Sequence, residues 1–227
     1  MNRVVFDIET LAYPLEAFDE ARQEYLMKFA RTEEERLDAL LKLNLTPFTA
    51  QIIAIGMLNP DSNQGKVYYQ VPADSGSKAE PTLVDDGLVE LVPVDEAGLL
   101  QEFWKTIVHY GQFITFNGRT FDCPFIMLRS ALLGIKPTRN LLPYRYSANE
   151  HCDLLEQLSY YGAFRKFNLD FYCKAFGIKS PKSEGITGLD MGMLFAEGRY
   201  SDIAKYCLGD IKATSELFRR WLSLLAF

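Results

Sequence analysis

The chain opens on a short apolar run, RVVFDI (3–8), and the next comparable run, QIIAIGML (51–58), does not begin until more than forty residues later. That gap most constrains the fold. Short β-type runs at both ends of a long helical, charged stretch require a sheet whose first two strands are joined by an insertion. Within the insertion, about 15–45, Thr32 followed by Glu35 has the form of a capping box and places a helix start. Thr46-Pro47 ends the helical stretch.

Beyond the second strand, the turn signal NPDSNQG (59–65) leads into KVYYQV (66–71), which is expected to pair antiparallel with it. Residues 72–87 are rich in Pro, Gly, Ser and Asp and read as a mobile loop. Apolar positions 99, 100, 103, 104 and 107 recur at helical spacing, so 95–109 is read as a helix, and QFITF (112–116) as a strand. Helices are expected over 122–133, 150–161, 168–176 and 201–225, with a loop at 178–189. This order predicts one α/β domain, 1–227: a mixed sheet flanked by helices, of the ribonuclease-H-like kind, with a helical insertion after the first strand.

A chain of 227 residues with 48% apolar content can bury a large core. The four cysteines form no C-x-x-C pair and there are two histidines, so a zinc ribbon or a His-based metal site is not expected. The thiols read as reduced and the protein as soluble and cytoplasmic, with no membrane span or signal sequence. A net charge of −6 looks unfavourable for binding a polyanion. Its distribution is uneven, however. Between Arg119 and Lys182 ten bases face five acids, 10 − 5 = +5, which leaves −6 − 5 = −11 elsewhere. A basic stretch beside an acidic site suits a phosphate backbone led toward bound cations, although a solvated surface face would give the same count.

Three constellations carry chemistry. In Asp7-Ile8-Glu9-Thr10, strand alternation sends both carboxylates to one side while Phe6 and Ile8 enter the core. In Tyr206-Cys207-Leu208-Gly209-Asp210, a spacing of four stacks Tyr206 and Asp210 on one helix face. Either pattern arises by chance about once in such a chain. The third, Phe116-Asn117-Gly118-Arg119-Thr120-Phe121-Asp122, runs a strand through a Gly loop to an acid at a helix start, where a simple cap would also explain the acid.

Taken in order, VVFDIET, FNGRTFDCPF and YCLGD resemble the three motifs of the tyrosine subclass of the DEDD 3′–5′ exonucleases. The likeness is to the proofreading domains of B-family DNA polymerases and the stand-alone bacterial proteins related to them. DLLEQLSYYG (153–162) and LDFYCKAFGIKSPKSEGI (169–186) resemble the family's helical region between its second and third motifs, whereas 15–45 matches poorly. The resemblance implies two divalent cations, Mg2+ or Mn2+, held by Asp7, Glu9, Asp122 and Asp210, with Asp7 bridging both. It implies that Tyr206 orients the attacking water and that Thr10, Asn117 and Phe121 contact the terminal nucleotides. Asp153 would either assist the second metal or cap a helix. The implied substrate is the 3′ end of a single strand, DNA more readily than RNA. Physics agrees, since four gathered carboxylates need cations and oxygen-only ligands suit magnesium or manganese. A nuclease-like fold kept as an inert binding module, and an endonuclease, are the alternatives.

Overall fold

The structure is a computed structural model and describes residues 2–72, 80–179 and 188–226. A seven-stranded mixed sheet runs in the order β4-β5-β3-β2-β1-β6-β7. The strands are β1 (Arg3–Ala12), β2 (Ala50–Leu58), β3 (Gly65–Gln70), β4 (Thr82–Val84), β5 (Val89–Val94), β6 (Gln112–Thr115) and β7 (His151–Asp153). β1, β2 and β3 form an antiparallel meander, while β6 and β7 add to the other side of β1 in parallel. The expected ribonuclease-H-like mixed sheet with a helical insertion after the first strand is what the chain forms.

β1 is an interior strand between β2 and β6 and is buried on both faces. Val4, Phe6 and Ile8 pack with α3 (Glu96–Ile107) and α4 (Asp122–Leu132) on one side. Val5 faces α8 (Tyr200–Leu224) on the other. The 25 residues of α8 lay Ile203, Cys207, Ile211 and Phe218 on the sheet at helical spacing. Asp7 pairs opposite Gly56 of β2. A Cβ at Gly56 would stand 2.9 Å from the Cys207 Sγ and 3.0 Å from Ile211, so the missing side chain lets α8 approach the sheet beside Asp7.

The insertion contains α1 (Glu20–Met27) and α2 (Glu33–Lys42), and the Thr32/Glu35 capping box forms as expected. Neither helix buries a residue. The insertion is fastened at its return, where the Asn44 carbonyl accepts from the Thr10 hydroxyl at 3.0 Å and its side chain accepts from Ala12 N.

Four boundaries differ from expectation. β1 runs on to Ala12, past a β-bulge at Glu9/Thr10. Within 72–87, β4 forms at 82–84 and the loop reading otherwise falls largely on 73–79, outside the described residues. β5 was not anticipated, because Pro93 interrupts its pattern. Residues 151–153 are a strand and only Leu154–Leu158 (α5) is helical, because this short run extends the parallel sheet from β6. Helices α6 (Leu169–Ala175) and α7 (Met191–Ala196) follow, and the loop expected at 178–189 lies mostly outside the described residues. All four cysteines are free and buried. Among the described residues, no helix is long and apolar enough to cross a membrane.

Candidate active site

The carboxyl ends of the three parallel strands β1, β6 and β7 lie at one edge of the sheet, where such sheets build their sites. β1 delivers Asp7 and Glu9 on the α8 side, as alternation predicts. The loop after β6 delivers Asp122, and α8 delivers Tyr206 and Asp210. Asp122 is the first residue of α4, with Phe121 at the cap position. Its Oδ1 accepts from Ile8 N at 3.1 Å, and its carboxyl hydrogen-bonds that of Asp7. Two motifs 114 residues apart are joined at that point.

The acids sense one another strongly. Burial first, then the charges of Asp122, Asp210 and Glu9, hold the Asp7 carboxyl well above the carboxylate range. Burial, then Asp210 and Asp122, do the same to Glu9. Burial pushes Asp122 up to about 7. Tyr206 is raised by burial, then by Asp210, Glu9 and Asp7, and its phenol stays protonated. The four acids and the tyrosine therefore lie within electrostatic reach of one another.

Asp7, Glu9 and Cys207 each offer a ligand atom within 4.8 Å of the others. The Cys207 thiol donates to the Asp7 carbonyl at 3.8 Å. Burial and the neighbouring carboxylates hold it far above its ordinary value, so it remains a thiol and a poor ligand for a hard cation. It forms the apolar floor, and the carboxylates are the donors a metal would use. An oxygen-rich, mutually repelling set of this kind fits a divalent cation.

Asp153 explains how the second motif is held. Its Oδ1 accepts from Asn117 N and Leu155 N, both at 3.0 Å, and its Oδ2 from Arg119 N at 2.9 Å. The carboxylate caps α5 and clamps the 117–119 loop together. The helix-start signal was readable in the sequence, whereas a bond spanning 36 residues leaves no local trace. Asn117 takes a left-handed φ of 66°, and its Oδ1 accepts from the Thr120 hydroxyl at 2.6 Å, which leaves the amide nitrogen as its donor end. The Phe121 ring is half-buried against Phe125. Thr10 spends its hydroxyl on Asn44. Burial, then the charges of Asp170 and Asp210, push the Cys173 thiol up to about 11, which marks α6 as a wall beside Asp210.

Gly118 has no room for a side chain, since an added Cβ would lie 2.5 Å from the Thr115 Cβ and Oγ1. Thr115 cannot yield, being fully buried with its hydroxyl 2.8 Å from His151 Nε2. Gly118→Ala is expected to cost about 1–3 kcal/mol in chemical denaturation, by overpacking. It should also lower activity by displacing Asp122. Wild-type stability and activity together would refute the tightness of this loop.

Residues 84–225, more than half of the chain, match the family described as "Predicted 3'-5' exonuclease related to the exonuclease domain of PolB". The chain belongs to this family. It is an exonuclease domain homologous to the proofreading domain of B-family polymerases, and its reaction is phosphodiester hydrolysis. The matched span includes Asp122, Tyr206 and Asp210, while Asp7 and Glu9 precede it and are joined to the site by the fold. The family B DNA polymerase from the hyperthermophilic archaeon Pyrobaculum calidifontis is similar in structure. The TM-score is 0.62 at 15% identity, over 97% of this chain and 24% of that one. At that identity the likeness establishes the fold, and the chain spans about a quarter of the polymerase's length. No curated protein sequence matches.

Carboxyls whose pKa is raised on folding stabilise the protein fully below their unfolded value, about 4, and lose that contribution as pH rises through the folded value. For Asp122 the loss runs from about 4 to about 7. A divalent cation that replaces the protons should therefore raise Tm more at pH 8 than at pH 5. Saturating Mn2+ at about 100 times Kd contributes about 2.7 kcal/mol, or roughly 5–10 °C for a domain of this size. A scanning-fluorimetry Tm that ignores Mn2+ at pH 8 would argue against a metal site.

Proposed function

We propose that residues 1–227 form one nuclease domain that removes nucleotides from the 3′ end of single-stranded nucleic acid, DNA in preference to RNA, using two Mg2+ or Mn2+ ions. The observation that carries this reading is the convergence of Asp7, Glu9, Asp122 and Asp210 from β1, α4 and α8: Asp7 shares a hydrogen bond with Asp122 and is raised by the charges of Asp122, Asp210 and Glu9, and Glu9 is raised by Asp210 and Asp122, beside a protonated Tyr206. Those four carboxylates would hold the ions, with Asp7 central because it touches Asp122 and senses both Glu9 and Asp210. The ions supply the positive charge that activates water, stabilises charge on phosphorus and supports the leaving 3′-oxygen. Tyr206 keeps its proton and orients the water by donating to it or accepting from it. The Asn117 amide and the Phe121 ring contact the terminal nucleotides, one by hydrogen bonding and the other by stacking. Thr10 lies at the bulge next to Glu9 and borders the same nucleotides. The insertion flanks the groove, as its fastening through Asn44 beside Thr10 supports. The preference for DNA follows the likeness to a DNA polymerase.

One gel tests the reading. End-labelled single-stranded DNA and RNA, and a circular single strand, are incubated with and without Mn2+, beside Asp210→Ala. Stepwise shortening of linear DNA that needs metal, spares the circle and vanishes in the variant is expected. Cutting of the circle would mean an endonuclease, and tight binding without turnover under any metal would mean an inert module.

A further inference from the structure

The stretch from α5 into α6, with the turn at 145–146, carries an unusual density of aromatic rings on the surface. Tyr144, Tyr146, Tyr160, Phe164 and Phe171 are each at least half exposed. Soluble proteins rarely leave that much aromatic area in water without a use. The rings contact one another: Tyr144 meets Tyr146 at 5.9 Å, Tyr146 meets Tyr161 at 5.0 Å, and Tyr160 meets Phe164 at 6.0 Å. Bases interleave with them. Arg165 lies 5.1 Å over the Phe167 ring, and Lys166 beside it is exposed. The buried acid of the region, Glu156, is already neutralised by Arg119 and Arg145.

The backbone supplies an independent observation. Tyr160 and Tyr161 take φ of 48° and 57°, and Gly162 follows at 92°. Left-handed backbone costs a bulky residue about 1–2 kcal/mol that glycine or asparagine would be spared. Tyr161 recovers some of this through Tyr146 and a 2.8 Å bond from Gln157. Tyr160 has, among the described residues, the Phe164 edge as its one ring contact and stays 60% exposed. A strained turn that presents a ring to solvent is costly for stability and useful for binding.

The Phe171 end of this surface, which Arg165 reaches through Phe167, adjoins the second motif. Phe116, next to Asn117, meets Tyr172 at 5.8 Å; Tyr172 meets Phe167 at 6.1 Å; and Phe167 stacks on the exposed Phe171 at 4.0 Å. An unbroken series of rings thus leads from the second motif across α6, the wall beside Asp210, to the outside.

We propose that Tyr160, Phe164 and Phe171, with Arg165 and Lys166, form a stacking platform for the part of a single-stranded nucleic acid that lies upstream of the 3′ end held by the acids. Rings stack on any base and the two bases track the phosphates, so the platform confers length preference rather than sequence preference. It rests on the nuclease reading for its polarity alone.

The test uses fluorescein-labelled oligothymidylates of three and twelve residues, with anisotropy read in Ca2+. Wild type should bind the twelve-mer far more tightly than the three-mer. The double variant Tyr160→Gly/Phe164→Ala and the single variant Phe171→Ala should each weaken the twelve-mer by roughly ten-fold or more and leave the three-mer within about two-fold, since a short ligand cannot reach the platform. Tyr160→Gly alone separates binding from folding, because it relieves the left-handed strain: Tm holds or rises while long-strand affinity falls. Leu83→Ala, an exposed apolar side chain on β4 at the opposite edge of the sheet, serves as the control. Twelve-mer affinity unchanged in all platform variants, or loss matched equally by the three-mer, overturns the proposal. Turnover is measured separately on the wild type. If turnover is absent while length-dependent binding persists through these rings, the nuclease reading fails and the platform stands.

Discussion

Asp7→Ala and Asp210→Ala are each expected to lower the rate of nucleotide release on the order of 10³-fold or more, about 4 kcal/mol of transition-state stabilisation. Asp7 is the hub of the cluster, hydrogen-bonded to Asp122 and raised by the charges of Asp210 and Glu9. Removing it deletes the carboxylate that, on the proposed reading, the cations would share. Loss of activity through misfolding predicts a different signature. With Asp7 held well above its ordinary value, its ionised form is a burden on the metal-free fold at pH 8. Asp7→Asn should therefore raise Tm there without metal and abolish the Mn2+-induced increase. A variant that keeps full turnover, in a preparation shown free of contaminating nuclease, would remove these acids from the mechanism.

Arg129→Ala should give the largest loss of stability, about 3–5 kcal/mol, seen as a fall in Tm of roughly 10 °C or more. Arg129 is buried in α4 and ion-pairs with Glu96 of α3, its Nε 2.8 Å from Oε1. It also donates to the Tyr13 hydroxyl at 2.8 Å and the Pro47 carbonyl at 3.1 Å. Truncation strands Glu96, whose Oε1 remains held by Ile52 N. Since Tyr13 and Pro47 border the two ends of the insertion, nuclease activity should fall as well. The double variant Arg129→Met/Glu96→Gln should recover much of the stability, because it is the unpaired charge that costs most. A fall in Tm of under about 2 °C for Arg129→Ala would refute this account.

What the sequence made legible follows from how far each signal reaches. The two acids of β1 and the Tyr206/Asp210 face of α8 could be placed because strand and helix periods fix direction within a few residues. The insertion was visible as a break between two strands, and its capping box as four adjacent positions. β7 was misread because His151-Cys152-Asp153 is three residues long and runs directly into a helix, so only its pairing with β6 reveals a strand. The clamp by Asp153, the Asp122 bond to Ile8 N and the approach of Cys207 to Gly56 join positions 36, 114 and about 150 residues apart. No window of sequence contains both partners. The exposed aromatics of 144–171 left no signal because exposure is a property of the folded surface.

The fastening of the insertion by Asn44 has a mechanical consequence. Two bonds from one residue grip Thr10 and Ala12, just past the bulge that turns the strand away from Glu9. The hairpin therefore acts as a lever whose short arm is the outer end of β1: tilting it must either break that grip or drag the backbone that aims Glu9. Through Asn44, displacement of the exposed helices α1 and α2 would act on the backbone beside Glu9.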